Sequence, residues 1–322
     1  MPLTVLVLIP HRAKPAGQPS EPAGSSRVND MHHNSTPPAS PEVRLEQGEI
    51  LTFSACPFPL PQADDRAFLF QQQPGARLHK NISYDPASGR VSGFQRHSAE
   101  QEARLLGLLA DFSSQATRWL AGYLPCYAGG CRPDRATLRP EEEATRKLRQ
   151  TARNDLLHID AFPSRPTGGD RILRLFVNLN PTDPRVWLTS HDFAELLARF
   201  GPEVGFPDAH PGWARKFSQT VLGLLPGRAA ARNAYDRFML RLHHFLKLNE
   251  PFQEKAPRRF WKFPPGSAWL VFSDGLSHAE LRGRHALEHS FIISHSVLAL
   301  PEQSPLALLQ RACAMPRRDQ AA

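Results

Sequence analysis

No stretch of this chain is apolar for long. The longest apolar runs, residues 5–9, 105–110 and 268–272, fall well short of the roughly 18–20 residues a membrane span needs. Cysteine is scarce. Cys56, Cys126, Cys131 and Cys313 include no C-x-x-C pair, which excludes a disulfide scaffold and points to a reducing cytoplasm. Cys126 and Cys131 are the nearest pair, but zinc would need two further ligands beside them. There is no internal repeat. No basic segment precedes the apolar residues at the N-terminus, so no secretory signal is expected there.

What is present is an ordinary globular balance. Hydrophobic residues make up 41% and charged residues 22%, which rules out a wholly disordered chain, a collagen and a coiled coil. The 31 prolines, about twice the usual share, predict many turns and extended segments. Lys and Arg exceed Asp and Glu by 39 − 31 = +8. Such a surplus suits an anionic partner: nucleic acid, an acidic membrane surface or an acidic metabolite. Charge alone does not choose among them.

Eight prolines fall in the first 41 positions among Ser, Gly and Ala. That composition cannot bury enough apolar surface to offset chain entropy, so residues 1–43 are expected to be disordered. Residues 44–310 are expected to form one domain, with 311–322 a flexible tail. Leu105, Leu109, Phe112, Ala116 and Leu120 recur at helical spacing and predict a helix over 99–121. Residues 141–157 read as a second helix, or a helix leading into a strand. Residues 50–53, 67–70 and 171–179 read as extended segments. Between 191 and 255 the period becomes helical in three stretches, around Phe193 to Phe200, Phe217 to Leu224 and Tyr235 to Leu246. Strands return over 259–300. The class is α+β, with a helical insertion between β segments.

The chemistry is concentrated in His158-Ile159-Asp160. On a strand, residues two apart share a face, so an imidazole and a carboxylate would stand side by side. A third ligand is then needed from a strand that closes against the first. His278, in F-S-D-G-L-S-H, follows an apolar strand and a polar turn. His285 and His289 are alternatives, but they follow the next turn. His158, Asp160 and His278 would make a two-histidine, one-carboxylate triad, which leaves three adjacent positions open on octahedral iron(II). Six residues beyond His278 stands Arg284. A guanidinium there could fork two hydrogen bonds to the carboxylate of an acid co-substrate.

H-x-D, a distal His, then R-x-A-L is similar to the iron(II)/2-oxoglutarate dioxygenases. That resemblance implies a double-stranded β-helix (jelly-roll) core flanked by helices. It implies iron(II), 2-oxoglutarate and O2 as cofactors, with ascorbate as a reductant. It implies Arg284 as the partner of the far 2-oxoglutarate carboxylate, with Asn178 either orienting that acid or capping the strand end. More specifically, H-I-D-A-F-P-S-R-P-T-G-G-D-R-I-L-R-L-F-V-N-L-N-P, with F-P-P-G-S-A-W-L-V-F-S-D, resembles the bacterial 3-deoxy-D-manno-oct-2-ulosonic acid (Kdo) hydroxylases over about residues 45–300. This implies hydroxylation of carbon 3 of the outer Kdo sugar of a lipopolysaccharide precursor to give Ko, with succinate and CO2 released.

The partner is then a Kdo-containing lipid A precursor rather than nucleic acid. It would be met by a cytoplasmic enzyme peripheral to the inner membrane, since basic residues favour an anionic leaflet. Arg165, Arg171 and Arg174 are the candidates for substrate anions. Arg171 and Arg174, three apart on a strand, point to opposite faces, so at most one reaches the pocket. Two rivals remain open: a dioxygenase acting on another acidic acceptor, and a non-catalytic basic lipid- or nucleic-acid-binding protein.

Overall fold

The segment R-I-L-R-L-F-V-N sorts its side chains by strand alternation: Leu173, Leu175 and Val177 to one face, Arg174, Phe176 and Asn178 to the other. That strand is the spine of the molecule. A computed structural model describes residues 39–75, 81–96, 98–146, 148–207 and 232–314. From Ala39 onward the chain forms one compact unit. The strands are β1 (Leu51–Phe53), β2 (Ile82–Asp85), β3 (Arg90–Ser92), β4 (Cys131–Arg139), β5 (Arg171–Asn178), β6 (Arg185–Asp192), β7 (Arg259–Phe263), β8 (Ala268–Phe272), β9 (Leu276–Arg282) and β10 (Ala286–Ile293). The described helices are α1 (Pro41–Glu46), α2 (Ala63–Gln71), α3 (Ala99–Tyr123), α4 (Phe193–Val204), α5 (Ala234–Leu248), α6 (Glu250–Lys255) and α7 (Pro305–Ala314).

Two antiparallel sheets result. The larger has the order β1-β8-β5-β10-β4-β2-β3 and the smaller β7-β6-β9. His158 forms a bridge to His278, so the H-x-D segment lies beside β9. The outward face of the large sheet (Leu173, Leu175, Val177, Leu287, Phe291) packs on Leu105, Leu109, Phe112, Ala116 and Leu120 of α3. Between the sheets, Phe176, Trp269 and Val271 meet Trp187 and Phe263. Behind the small sheet, Leu188, Ala279 and Ile159 are covered by Leu196 and Leu197 of α4 and Phe238, Leu242 and Leu246 of α5. Burying each such Leu or Phe contributes about 1.5–3 kcal/mol, so apolar layers hold the strands β5, β8, β6 and β9 around the site.

The structure departs from the sequence reading in four places. Residues 67–70 are helical, inside α2, because Phe68 and Leu69 turn together onto the α3 face. Residues 141–157 form two short 3₁₀ turns at 143–145 and 150–152 instead of a helix. Their charges serve ion pairs there: Arg146 with Glu141 and Glu143, and Arg153 with Asp155. Helix α1 takes in residues 41–43, capped by the Ser40 side chain, and α7 runs on to Ala314. In the insertion, α4 and α5 stand where the period predicts them. The expected helix around Phe217 to Leu224 lies outside the described residues, as do 1–38 and 315–322.

Candidate active site

Three residues converge: His278 from β9, and His158 and Asp160 from a segment that forms a single bridge to β9 rather than the strand expected of it. One ligand atom from each of His158, Asp160 and His278 lies within 4.8 Å of the others, and all three residues are buried. The backbone sets this up. His158 and His278 exchange N–H···O bonds of 3.0 and 2.8 Å, and the Asp160 N–H donates to the Ser273 carbonyl at 2.9 Å. Each imidazole gives its Nδ1–H to the carbonyl two residues earlier: His158 to Leu156 at 2.7 Å, His278 to Leu276 at 3.0 Å. Both Nε2 lone pairs therefore turn to Asp160, at 3.8 and 4.0 Å from its carboxylate. A metal–ligand bond near 2 Å requires donors within roughly 3–4 Å of one another, so this donor set fits a divalent ion. Among the described residues it is the one such cluster, and Cys126 and Cys131 take no part in it.

The protonation states suit that role. Burial holds His158 well below its ordinary value, aided by Lys247, His278 and His243. Burial also lowers His278, although Asp160 opposes it. Both imidazoles are neutral ligands at pH 7. Burial pushes the Asp160 carboxyl up, but Arg174 above all, with a hydrogen bond from Ser273, more than offsets it, so it is ionised. Trp187 stacks on His278 with centroids 5.2 Å apart, and His243 packs edge-on against His158 at 5.2 Å.

Beneath the triad lies a buried ionic network. Arg174 reaches Asp160 at 2.8 Å with one nitrogen and Glu288 at 2.7 Å with another. Arg139 contacts Glu143, Glu280 and Glu288, and Arg185 contacts Glu280 and the Gly283 carbonyl. Breaking one partner of such a set costs about 3–5 kcal/mol, because a buried charge is left alone.

The other sequence candidates divide. Arg174 is at the triad, while Arg171 turns to the opposite face, stacks on Phe272 and pairs with Asp274 at 2.9 Å. Arg165 lies over Phe162 and pairs with Asp134. Arg284 does not reach the site. The turn out of β9 is Gly283-Arg284-His285, with Gly283 at φ 122° and His285 at φ 56°. The next strand starts only at Ala286, so Arg284 is exposed beside the Pro140 carbonyl. Asn178 is not an acid-orienting residue either. Its amide donates to the Asp183 and Phe263 carbonyls and its oxygen accepts from the Asn180 N–H, which uses it up in bracing the strand end. His289 faces α3, 2.7 Å from Ser113, and His285 packs against Phe70, so neither competes with His278.

Sequence reading missed the network and two residues of α5. His243 donates to the Ile159 carbonyl at 2.6 Å, and the buried Lys247 stands close enough to depress His158. One signal was available: Glu288 is an acid inside an apolar strand, which calls for a buried cation opposite it.

Several imidazoles here are buried neutral, and the sign of their pH linkage follows. His289 is lowered from 6.5 to about 4 and His243 from 6.5 to about 3, both by burial. The unfolded chain binds more protons between those values and 6.5, so stability is full above pH 6.5 and falls as pH drops towards 4. A pH series of melting temperatures on metal-free protein should decline over that window. A flat profile from pH 7 to 4 would contradict neutral burial.

Two imidazoles and a carboxylate gathered beside antiparallel sheets are the donor set of the non-haem iron(II) oxygenases, and the chain is an enzyme of that class. The profile of the 3-deoxy-D-manno-oct-2-ulosonic acid (Kdo) hydroxylase family matches residues 29–316, and the chain belongs to that family. Among solved structures, it is similar to the Kdo hydroxylase KdoO in complex with α-ketoglutarate and Fe(III). The identity is 36% over 83% of this chain and 87% of that one, with a TM-score of 0.70. KdoO with cobalt(II) is 35% identical over 86% and 90%, at a TM-score of 0.71. KdoO with succinate and Fe(III) is 34% identical over the same shares, 86% and 90%, at 0.70. No curated protein matches the chain.

Proposed function

We propose that the chain hydroxylates carbon 3 of the outer Kdo sugar of a lipopolysaccharide precursor, giving Ko. The observation that carries this is the meeting of His158, Asp160 and His278 from two distant segments, in a member of the Kdo hydroxylase family. The strand order supports a jelly-roll core: β4-β10-β5-β8 within one sheet faces the H-x-D segment, β9, β6 and β7 in the other.

Bound iron(II), with 2-oxoglutarate and O2, supplies the C–H hydroxylation and releases succinate and CO2. The chain's own residues do the rest. His158 and His278 offer Nε2, held in the right tautomer by their own backbone carbonyls. Asp160 offers an anionic oxygen, oriented by Arg174. Trp187 and His243 fix the imidazole planes and exclude water from behind them. Arg174 is the guanidinium at the triad, 2.8 Å from Asp160, and Arg284 stands in solvent away from it. Arg165, partly exposed beside Phe162, is committed to Asp134.

The reading includes peripheral membrane association. No described helix is long and apolar enough to cross a membrane. Arg258, Phe260 and Lys262 are all exposed on and beside the edge strand β7, and Phe260 is 60% exposed. Cations flanking an apolar ring suit an anionic leaflet.

The test is mass spectrometry of lipopolysaccharide from cells with and without the protein. One added oxygen on the inner-core Kdo is expected only when it is present. In the same cells the protein should sediment with membranes at low salt and be released at high salt. Purified enzyme should form succinate with Kdo-bearing lipid and not with nucleotides or peptides. Succinate formed with those acceptors instead would favour the rival dioxygenase reading.

A further inference from the structure

The register of the small sheet points to an unassigned cation. His278 of β9 pairs with Thr189 of β6, and Thr189 pairs with Arg259 of β7. Residues directly opposite on neighbouring strands share a face. Arg259 therefore stands on the same face as the metal-side histidine and at the same level of the sheet. Two strand spacings separate their backbones, about 9–10 Å. Arg259 is exposed, on the free edge of the sheet.

Its guanidinium is held. The Arg259 Cζ lies 4.2 Å from the centroid of the Trp261 ring, and that ring donates Nε1–H to the Thr189 hydroxyl at 2.9 Å. The Trp261 ring runs parallel to Phe263, with centroids 6.3 Å apart. The platform is thus tied to the strand that carries the ladder to His278. A guanidinium stacked on an aromatic face keeps its N–H edges free for a bidentate acid. The sequence-predicted substrate arginines are already paired: Arg165 with Asp134, Arg171 with Asp274, and Arg174 with Asp160 and Glu288. Arg259 has no acid partner among the described residues.

We propose that Arg259, positioned by Trp261, binds the carboxylate of the acidic sugar in the acceptor. This rests on the Kdo hydroxylase reading. The experiment is steady-state kinetics of iron-loaded enzyme at saturating 2-oxoglutarate, varying a Kdo-bearing lipid A. Arg259→Gln should raise the acceptor KM about ten- to hundredfold, the loss expected for one charge-assisted pair. The kcat, the 2-oxoglutarate KM and the iron content should hold. Arg259→Lys should recover part of the loss. Trp261→Phe, which keeps an aromatic ring but loses the bond to Thr189, should raise the acceptor KM by less.

Two acceptor analogues separate the anions. With the sugar carboxyl methyl-esterified, wild type and Arg259→Gln should have the same KM. With the lipid phosphates removed, the difference between them should persist. If dephosphorylation erases that difference instead, the guanidinium serves phosphate and the sugar-acid assignment is overturned. An unchanged acceptor KM in Arg259→Gln overturns it too. A wild-type enzyme that turns over no Kdo-bearing acceptor sinks the functional reading itself, which is a different result.

Discussion

His158→Ala and Asp160→Asn are expected to abolish hydroxylation and leave protein that no longer retains iron(II). The effect should be the largest of any single change. Each removes one of only three donors, whereas losing a residue that merely supports a ligand already costs about 10–100-fold in metal affinity or activity. Asp160→Asn is the cleaner variant, because it keeps the shape and removes the charge. Without that anion, Arg174 and the metal would meet as two cations. Iron content by mass spectrometry and succinate formation with the acceptor are the readouts, with far-ultraviolet circular dichroism to show that the sheets persist. Activity above a tenth of wild type in His158→Ala would remove the triad from the mechanism.

Arg174→Ala should come next in severity, and it should act on two quantities at once. The guanidinium spans Asp160 and Glu288. Deleting it leaves two buried carboxylates without their shared cation, at a cost of about 3–5 kcal/mol in stability. It also lets the Asp160 carboxyl rise, because Arg174 is the foremost group lowering it. Metal binding should therefore weaken most at acid pH and recover as pH rises. Arg174→Lys keeps the charge but not the fork, so it should preserve the fold better than the metal affinity. Arg284→Ala, by contrast, should leave the 2-oxoglutarate requirement at the wild-type level, since that side chain is exposed in a turn. Titrations of metal and co-substrate on the three variants decide the matter. A sharp rise in the 2-oxoglutarate KM of Arg284→Ala alone would reverse the assignment.

Much of this was legible in the chain. The run of β5 and the helical period of α3 were read nearly to their ends, because β5 is a continuous β-branched and aromatic run and α3 buries one regular face. The H-x-D pair was legible because its spacing is local, although its segment makes a single bridge to β9 rather than a strand. His278 needed more than periodicity, namely a strand and turn placed before it. Arg284 failed at this step. The turn out of β9 takes Gly283, Arg284 and His285, and a side chain placed in a turn instead of on the following strand points into solvent. Residues 67–70 failed for a different reason. Their apolar run suits either state, and packing on α3 selected the helix.

Beyond the acid Glu288 inside an apolar strand, the ionic network could not be read. Arg139, Arg185, Glu280 and Glu288 come from four strands, and nothing in their spacing says that they meet. The same holds for His243 and Lys247, which approach His158 only because α5 lies across the back of the small sheet. Arg259 looks like one more basic residue of an R-R-F-W-K-F run until strand register sets it level with His278.

The order of amino acids by itself determined the donor types and the H-x-D spacing, which are facts of the covalent chain, and its motifs carried the resemblance that implied the reaction class. Tertiary structure alone decided which of several arginines shares the metal's face. That choice depends on how strands pair across long loops, and pairing register is a property of the packed sheet rather than of any segment within it.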